Sequence, residues 1–197
     1  MREKTIIAGF GGQGIISMGQ LWVSIAMAEG KLVSFFPYYG AEKRGGVARA
    51  SCIVSDAEIA SPLVTRADSS VAMSADALDA CVKALGPGNR LIVNSTLVDV
   101  GSSPIDADGF ELLSIPATGI AVDLGEARAA NMVMLGFLAK VTGALALADP
   151  EAALAAHFPG AKRKFLPINL KALEAGIEEA GRIAKARTSG DCARASA

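Results

Sequence analysis

The chain has 197 residues, 51% apolar and 20% charged, with a formal net charge of −1. Those values describe one globular domain with a real core, not a disordered chain. The near-zero charge gives no support to a nucleic-acid or membrane-surface binder, and the longest apolar stretch, Met132–Ala139, falls far short of the ~18 residues of a membrane span. The apolar run near the N-terminus, Thr5–Ala8, is too short for the core of a signal peptide, so a cytoplasmic location is expected.

In chain order, Thr5–Ala8 reads as a central strand, apolar on both faces. The turn Gly9-Phe10-Gly11-Gly12-Gln13-Gly14 follows it. A helix over 15–29 comes next, with Ile16, Gly19, Gln20, Val23 and Met27 near one side and Gly30 as its C′ glycine. Lys31–Phe36 reads as a second parallel strand stopped by Pro37, and Pro37–Gly46 as a loop. Val47–Val54 alternates, with Val47, Arg49, Ser51 and Ile53 on one face, which suits a strand antiparallel to its neighbours. Ser55–Glu58 reads as a turn, and Ile59–Val64, with its proline, as an edge or loop.

Further strands are expected at Ser70–Met73, Leu91–Asn94 and Glu111–Ile115, with a helix at Asp76–Leu85 closed by Gly86–Asn89. From Gly125 to Val141 the pattern is helical and apolar all round after Asn131, as in a helix buried in a domain or under a partner. Pro150 opens a short helix at its N1 position, and a last helix runs from Asn169 to about Arg187. Strands alternate with helices, so the expected fold class is α/β, a three-layer α/β/α domain over 1–187 with a mostly parallel, mixed sheet. Residues 188–197 are expected to be a polar tail.

Two stretches carry chemistry. Glycines between a strand and a helix let a ligand approach the backbone, and the helix start points free N–H groups out of the turn. Gly9-x-Gly11-x-x-Gly14 matches the dinucleotide spacing, yet the place for the ribose-binding acid holds Phe35, Phe36 and Pro37. No Gly-Lys-Ser/Thr follows, so it is not a Walker loop. A tight turn without a ligand is the alternative. In Glu42-Lys43-Arg44-Gly45-Gly46, two cations beside two glycines suit a phosphate; a solvated loop is the plainer reading. In a parallel sheet both loops leave the carboxyl edge and face one crevice.

The remaining inventory is thin. The sole histidine, His157, reads as a structural helix-end residue, and Lys162-Arg163-Lys164 as a solvated turn. Cys52, Cys81 and Cys192 form no CxxC, so no cluster or zinc site is expected in this chain, nor any catalytic group. Anion-binding equipment without a catalytic group suits a subunit that completes a site held by other chains.

Several stretches resemble the gamma subunit of 2-oxoacid:ferredoxin oxidoreductases. These are Gly9–Gly14, Tyr39–Gly46, Ile53–Asp56 with Ile59–Pro62, Asn131–Gly136 and Asn169–Gly176, and the likeness runs from about Lys4 to Gly176. The resemblance implies an α/β/α domain packed on alpha and beta catalytic subunits, with a ferredoxin-like delta subunit or fused domain carrying extra clusters. Such enzymes decarboxylate a 2-oxoacid on thiamine diphosphate, send electrons through 4Fe-4S clusters to ferredoxin and form an acyl-CoA. It further implies that Gly11, Gly12, Gln13 and Gly14 line a crevice for coenzyme A or a partner. Lys43 and Arg44 would lie near the coenzyme's phosphates, with Gly45 and Gly46 allowing close approach. Tyr39-Gly40-Ala41-Glu42 leans towards the 2-oxoglutarate or branched-chain type, with Ala41 where a proline is common. A homodimer of the isolated chain is a further expectation. Two other readings stay open: a free-standing nucleotide- or dinucleotide-binding enzyme, and a pure assembly scaffold.

Overall fold

In the computed structural model, which describes residues 1–39, 46–100 and 109–194 with side chains to Arg187, the strands join in one sheet. They are β1 (Arg2–Phe10), β2 (Leu32–Tyr39), β3 (Val47–Ser55), β4 (Ala67–Ala72), β5 (Leu85–Asn94) and β6 (Glu111–Ile115), in the order β2-β3-β1-β4-β5-β6. The pairs β1–β4, β4–β5 and β5–β6 are parallel, and β3 is antiparallel to both β1 and β2. The sheet is therefore mixed, and β3 alone among these strands runs against the rest. The alternation along Val47–Val54 pointed to that reversal, and the strand runs one residue further, to Ser55. Strand β2 keeps the direction of β1 but is not its neighbour, because β3 is inserted between them.

Helices α1 (Ile15–Ala28), α3 (Ala117–Asp123), α4 (Ala130–Thr142), α5 (Pro150–Ala155) and α6 (Leu166–Arg194) share one hydrophobic core with Ile7, Ala50 and Cys52 on one side of the sheet. On the other side α2 (Ala75–Ala84) packs on β1, β4 and β5. The layers are α/β/α, but the second layer is a single helix among the described residues. Helix α4 is buried at every position from Ala130 to Ala139, and each of its large apolar side chains contributes roughly 1.5–3 kcal/mol by burial. It crosses α6 where Gly136 meets the backbone of Leu173 and Gly176 meets the backbone of Val133 and Phe137. No described helix is long and apolar enough to cross a membrane.

Several boundaries differ from the sequence expectation, each for a physical reason. Pro37 does not stop β2; it sits opposite Ala50, on the edge strand, where a missing N–H is tolerated. Gly86–Asn89 belong to β5, which bulges there as its pairing moves from Ala67–Leu85 to Ser69–Arg90. Asn89 Nδ2 holds the bulge by donating to the Ala67 carbonyl at 2.7 Å. Helix α1 buries Leu21, Trp22 and Ile25, while Gln20 and Met27 are exposed. Its end is as expected: Gly30 (φ 78°) donates to Met27 and Lys31 to Ala26, the two bonds of a Schellman cap. Helix α6 begins at Leu166 and continues past Arg187 to Arg194, so the expected tail is helical that far.

Candidate functional site

Leaving β1 at Phe10, the chain turns through Gly11 and Gly12 and enters α1 at Gly14. Gly12 (φ 96°) and Gly14 (φ 74°) adopt left-handed conformations that side chains disfavour. The Gln13 side chain ties the turn to the sheet. Its Oε1 accepts from the Phe10 N–H at 2.7 Å, and its Nε2 donates to the Met73 carbonyl at 3.1 Å. Those two partners fix which way the amide points. Gln13 thus holds the turn closed as well as lining it, a role that sequence reasoning did not assign.

The glycines of the turn divide into two kinds. A Cβ on Gly9 would strike Ile15 Cδ1 and Met73 Cβ at 2.7 and 2.8 Å, and one on Gly14 would strike the Asn131 amide. Gly11 and Gly12 have no neighbour within 4 Å of a built Cβ. Gly9 and Gly14 let the turn pack; Gly11 and Gly12 leave bare backbone facing open space.

Gly12 opens on a crevice of about 240 Å³ whose other walls are Gln13, Met73 after β4, Leu97 after β5, Thr118 on α3, and Ala127, Arg128 and Ala130 leading into α4; Gly11, one residue earlier, stands at its approach and not in its walls. The crevice lies at the carboxyl ends of the parallel strands, where α/β proteins commonly bind ligands. The start of α1 has no side-chain cap and no acidic residue in its first turn, so its free N–H groups favour an anion. The start of α3 differs: Asn94 Oδ1 accepts from Thr118 N–H at 3.2 Å and Thr96 Oγ1 from Gly119 N–H at 3.1 Å. Arg128 brings a cation to the crevice wall; its own N–H is held by Glu126 Oε1 at 3.1 Å. Sequence reasoning missed Arg128. The available signal was Glu126-Ala127-Arg128 just ahead of the long apolar run that follows Asn131.

Gly46 immediately precedes β3, whose Val47 pairs with Phe10 and whose Ala48 pairs with both Gly9 and Tyr39. The β2–β3 connection therefore leaves the same sheet edge as the glycine turn. Lys43, Arg44 and Gly45 lie outside the described residues. His157 is remote from the crevice, at the end of α5; its N–H donates to the Leu154 carbonyl at 2.9 Å, and burial lowers its pKa. Lys162–Lys164 lie exposed in a 3-10 turn, with Lys164 Nζ 5.0 Å from the centre of the Phe165 ring. Burial pushes the thiols of Cys52 and Cys81 up to about 12, which keeps them protonated. The side chain of Cys192 is outside the described residues. Among the described residues no group of three or more His, Cys, Asp or Glu is placed to hold a metal.

The strand order decides against a dinucleotide site of the usual kind. That site needs a second parallel strand beside β1 to carry the ribose-binding acid, and here antiparallel β3 occupies the place. What remains is a glycine-turn α/β domain with a non-dinucleotide strand order and an open crevice. The chain belongs to the pyruvate ferredoxin/flavodoxin oxidoreductase family, which matches residues 4–179. It is 37% identical over 173 residues to the ketoisovalerate oxidoreductase subunit VorA of Methanothermobacter thermautotrophicus, covering 87% of this chain and 35% of that protein. It is 36% identical over 183 residues to the 2-oxoglutarate synthase subunit KorC of Methanothermobacter marburgensis, covering 90% and 96%. The chain thus spans about a third of the length of VorA and nearly all of KorC. In fold it is similar to the 2-oxoglutarate:ferredoxin oxidoreductase from Magnetococcus marinus, whose structure has 2-oxoglutarate, coenzyme A and succinyl-CoA bound; the TM-score is 0.80 at 24% identity, over 92% of this chain and 31% of that one.

Proposed function

We propose that this chain is the gamma subunit of a multisubunit 2-oxoacid:ferredoxin oxidoreductase in the cytoplasm, and that its glycine crevice helps enclose coenzyme A. The reaction is oxidative decarboxylation of a 2-oxoacid such as 2-oxoglutarate to an acyl-CoA and CO2, with electrons passing to ferredoxin. Thiamine diphosphate and 4Fe-4S clusters belong, in this reading, to alpha and beta partner subunits and a ferredoxin-like delta subunit. The observation that carries the coenzyme A assignment is the open backbone of Gly12, in one crevice with Arg128 and beside the uncapped start of α1, with Gly11 equally open just before it. A phosphate chain can lie against bare backbone there, with N–H donors below it and a guanidinium at the wall. The coenzyme's thiol takes up the acyl group; this chain's residues bind and orient the anionic end. Lys43 and Arg44 join this proposal on sequence grounds alone. Support for the subunit reading comes from the family match and from the subunit names of VorA and KorC.

The test is steady-state kinetics of the assembled enzyme with coenzyme A as the varied substrate. Arg128→Ala, and Lys43→Ala with Arg44→Ala, are expected to raise the KM for coenzyme A about tenfold or more, as loss of charge-assisted bonds of ~1.5–3 kcal/mol each predicts. An unchanged KM in both variants contradicts the coenzyme A assignment. A tagged chain purified without oxygen and free of any oxidoreductase polypeptide contradicts the subunit reading.

A further inference from the structure

The two faces of the sheet are finished differently. On one face α1 covers β2 and β3, and Gly19 lets Phe35, Ala50 and Cys52 approach that helix closely. On the other face α2 packs on β1, β4 and β5, and among the described residues the outer strands β2 and β3 are met by the passing segment of residues 56–66, tied down where Ser34 Oγ donates to the Pro62 carbonyl at 3.0 Å. Large apolar side chains stand open there: Phe36 is 50% exposed, Tyr38 58% and Leu63 59%. Together with Arg49, Ser51 and Thr65 they border a groove of about 290 Å³.

Three features say what kind of occupant suits this face. First, β2 reads Leu-Val-Ser-Phe-Phe-Pro-Tyr-Tyr, without one charged residue, and it is the sheet's edge. An apolar edge strand left bare is an aggregation hazard that soluble proteins normally cover or charge. Secondly, among the described residues the groove and its neighbour towards β1 are lined by Arg49, Arg2 and Lys4 and by no carboxylate. Aromatic side chains grouped with arginine are the usual core of a protein interface, and this sign of charge selects an acidic partner. Thirdly, this domain occurs in VorA as part of a chain about three times its length, and in KorC as nearly the whole chain. A domain that is covalently joined to further polypeptide in one relative and free in another needs a surface that holds the same neighbour without the covalent link.

We propose that the uncovered face of β2 and β3, centred on Phe36, Tyr38, Leu63 and Arg49, is where this chain docks on the catalytic polypeptide of its oxidoreductase. The occupant is a segment that sets an apolar side chain into the groove and a carboxylate against Arg49. This inference rests on the subunit reading above. The docking face is distinct from the glycine crevice: it lies on the α2 side of β2 and β3, while the crevice opens at the carboxyl edge of β1, β4 and β5.

The test uses tagged full-length chain expressed in its native host and purified without oxygen, with the oxidoreductase polypeptides identified and counted by mass. Phe36→Glu with Tyr38→Glu changes exposed side chains only, so circular dichroism and the melting curve should match the wild type. The amount of oxidoreductase polypeptide retained per chain should fall at least tenfold, and Arg49→Glu should lower it severalfold. Val122→Glu, a control on an exposed apolar residue of α3, should retain the wild-type amount. Normal retention by a folded Phe36→Glu, Tyr38→Glu variant overturns the docking face while leaving the subunit reading intact. If the wild type retains no oxidoreductase polypeptide, the subunit reading fails and the docking face with it. If the substitutions instead abolish a homodimer of the free chain and leave retention unchanged, the face is a contact between copies and the proposal is wrong.

Discussion

The α4–α6 crossing and the β1–α1 turn are both built on glycine, and they use it in opposite ways. At the crossing, Gly136 and Gly176 let two helices touch backbone to backbone; a Cβ on either would overlap the carbonyl of Leu173 or Val133. At the turn, Gly11 and Gly12 touch nothing. The first pair removes atoms so that protein can fill the space. The second pair leaves space that protein does not fill. Only the second kind is available to a ligand; of that pair Gly11 is free of any packing or backbone demand, whereas Gly12 also carries the left-handed turn (φ 96°).

Substitution should break this contrast in a graded way. The largest effect is expected at the crossing. Gly176→Ala forces α4 and α6 apart, an overpacking cost of about 3 kcal/mol, and at ~2–4 °C per kcal/mol for a chain of this size the melting temperature should fall by roughly 6–12 °C. Thermal unfolding followed by circular dichroism measures it, and a fall of under ~2 °C would show that the helices are not locked there. Gln13→Ala should be intermediate. It removes the bonds to the Phe10 N–H and the Met73 carbonyl, a loss of about 1–2 kcal/mol at ~1 kcal/mol per bond, since the first lies exposed and the second only partly buried. Urea midpoints of the two proteins compare them directly, and equal midpoints would show that the turn stands without its amide.

The smallest effect lies far from both regions. Asp56 accepts from Lys31 Nζ at 2.8 Å and from the Met1 amino group at 2.7 Å. The bond to Lys31 is the larger cause and the Met1 amino group the next in holding its carboxyl down at about 2. A depressed carboxyl pKa stabilises the fold above the unfolded value and ceases to do so as pH falls through the folded one. The contribution should therefore fade between about pH 4 and pH 2. Asp56→Asn should lose that contribution at neutral pH and converge with the wild type below about pH 2, flattening that part of the acid-unfolding curve; the difference should be small, because the group is fully exposed. An unaltered acid limb would show that the pair adds nothing in solution.

Much of this architecture was legible where local pattern and tertiary demand agree. Alternation along Val47–Val54 marked the reversed strand, Gly30 marked the end of α1, Pro150 marked the start of α5, and Glu111–Ile115 was placed to the residue. The failures occur where a distant group supplies what the local sequence lacks. Helix α3 has Gly119 inside it and no cap of its own; its first N–H groups are satisfied by Asn94 and Thr96 from the end of β5. Strand β2 runs through Pro37 because β3 leaves it at the edge, a position no local rule reveals. The inward face of α1 was not legible: the grouping of Ile16, Gly19, Gln20, Val23 and Met27 near one side omits Leu21, Trp22 and Ile25, which the fold buries. At the candidate site the turn itself was legible. Which glycines are open, the stitching by Gln13 and the arrival of Arg128 were not, since each depends on elements more than fifty residues apart in the chain meeting at one edge.

The central claim is that the open half of the turn serves a ligand and not the fold. Gly11→Ala in the assembled oxidoreductase tests it most directly, with melting temperature and the KM for coenzyme A measured on the same preparation. The account predicts a melting temperature within ~2 °C of wild type, as expected for a side chain placed in open space, together with a KM for coenzyme A raised about fivefold or more by a methyl group standing where the phosphates approach. A KM equal to that of the wild type would contradict it, and so would a melting temperature that falls as far as that of the helix-crossing variant.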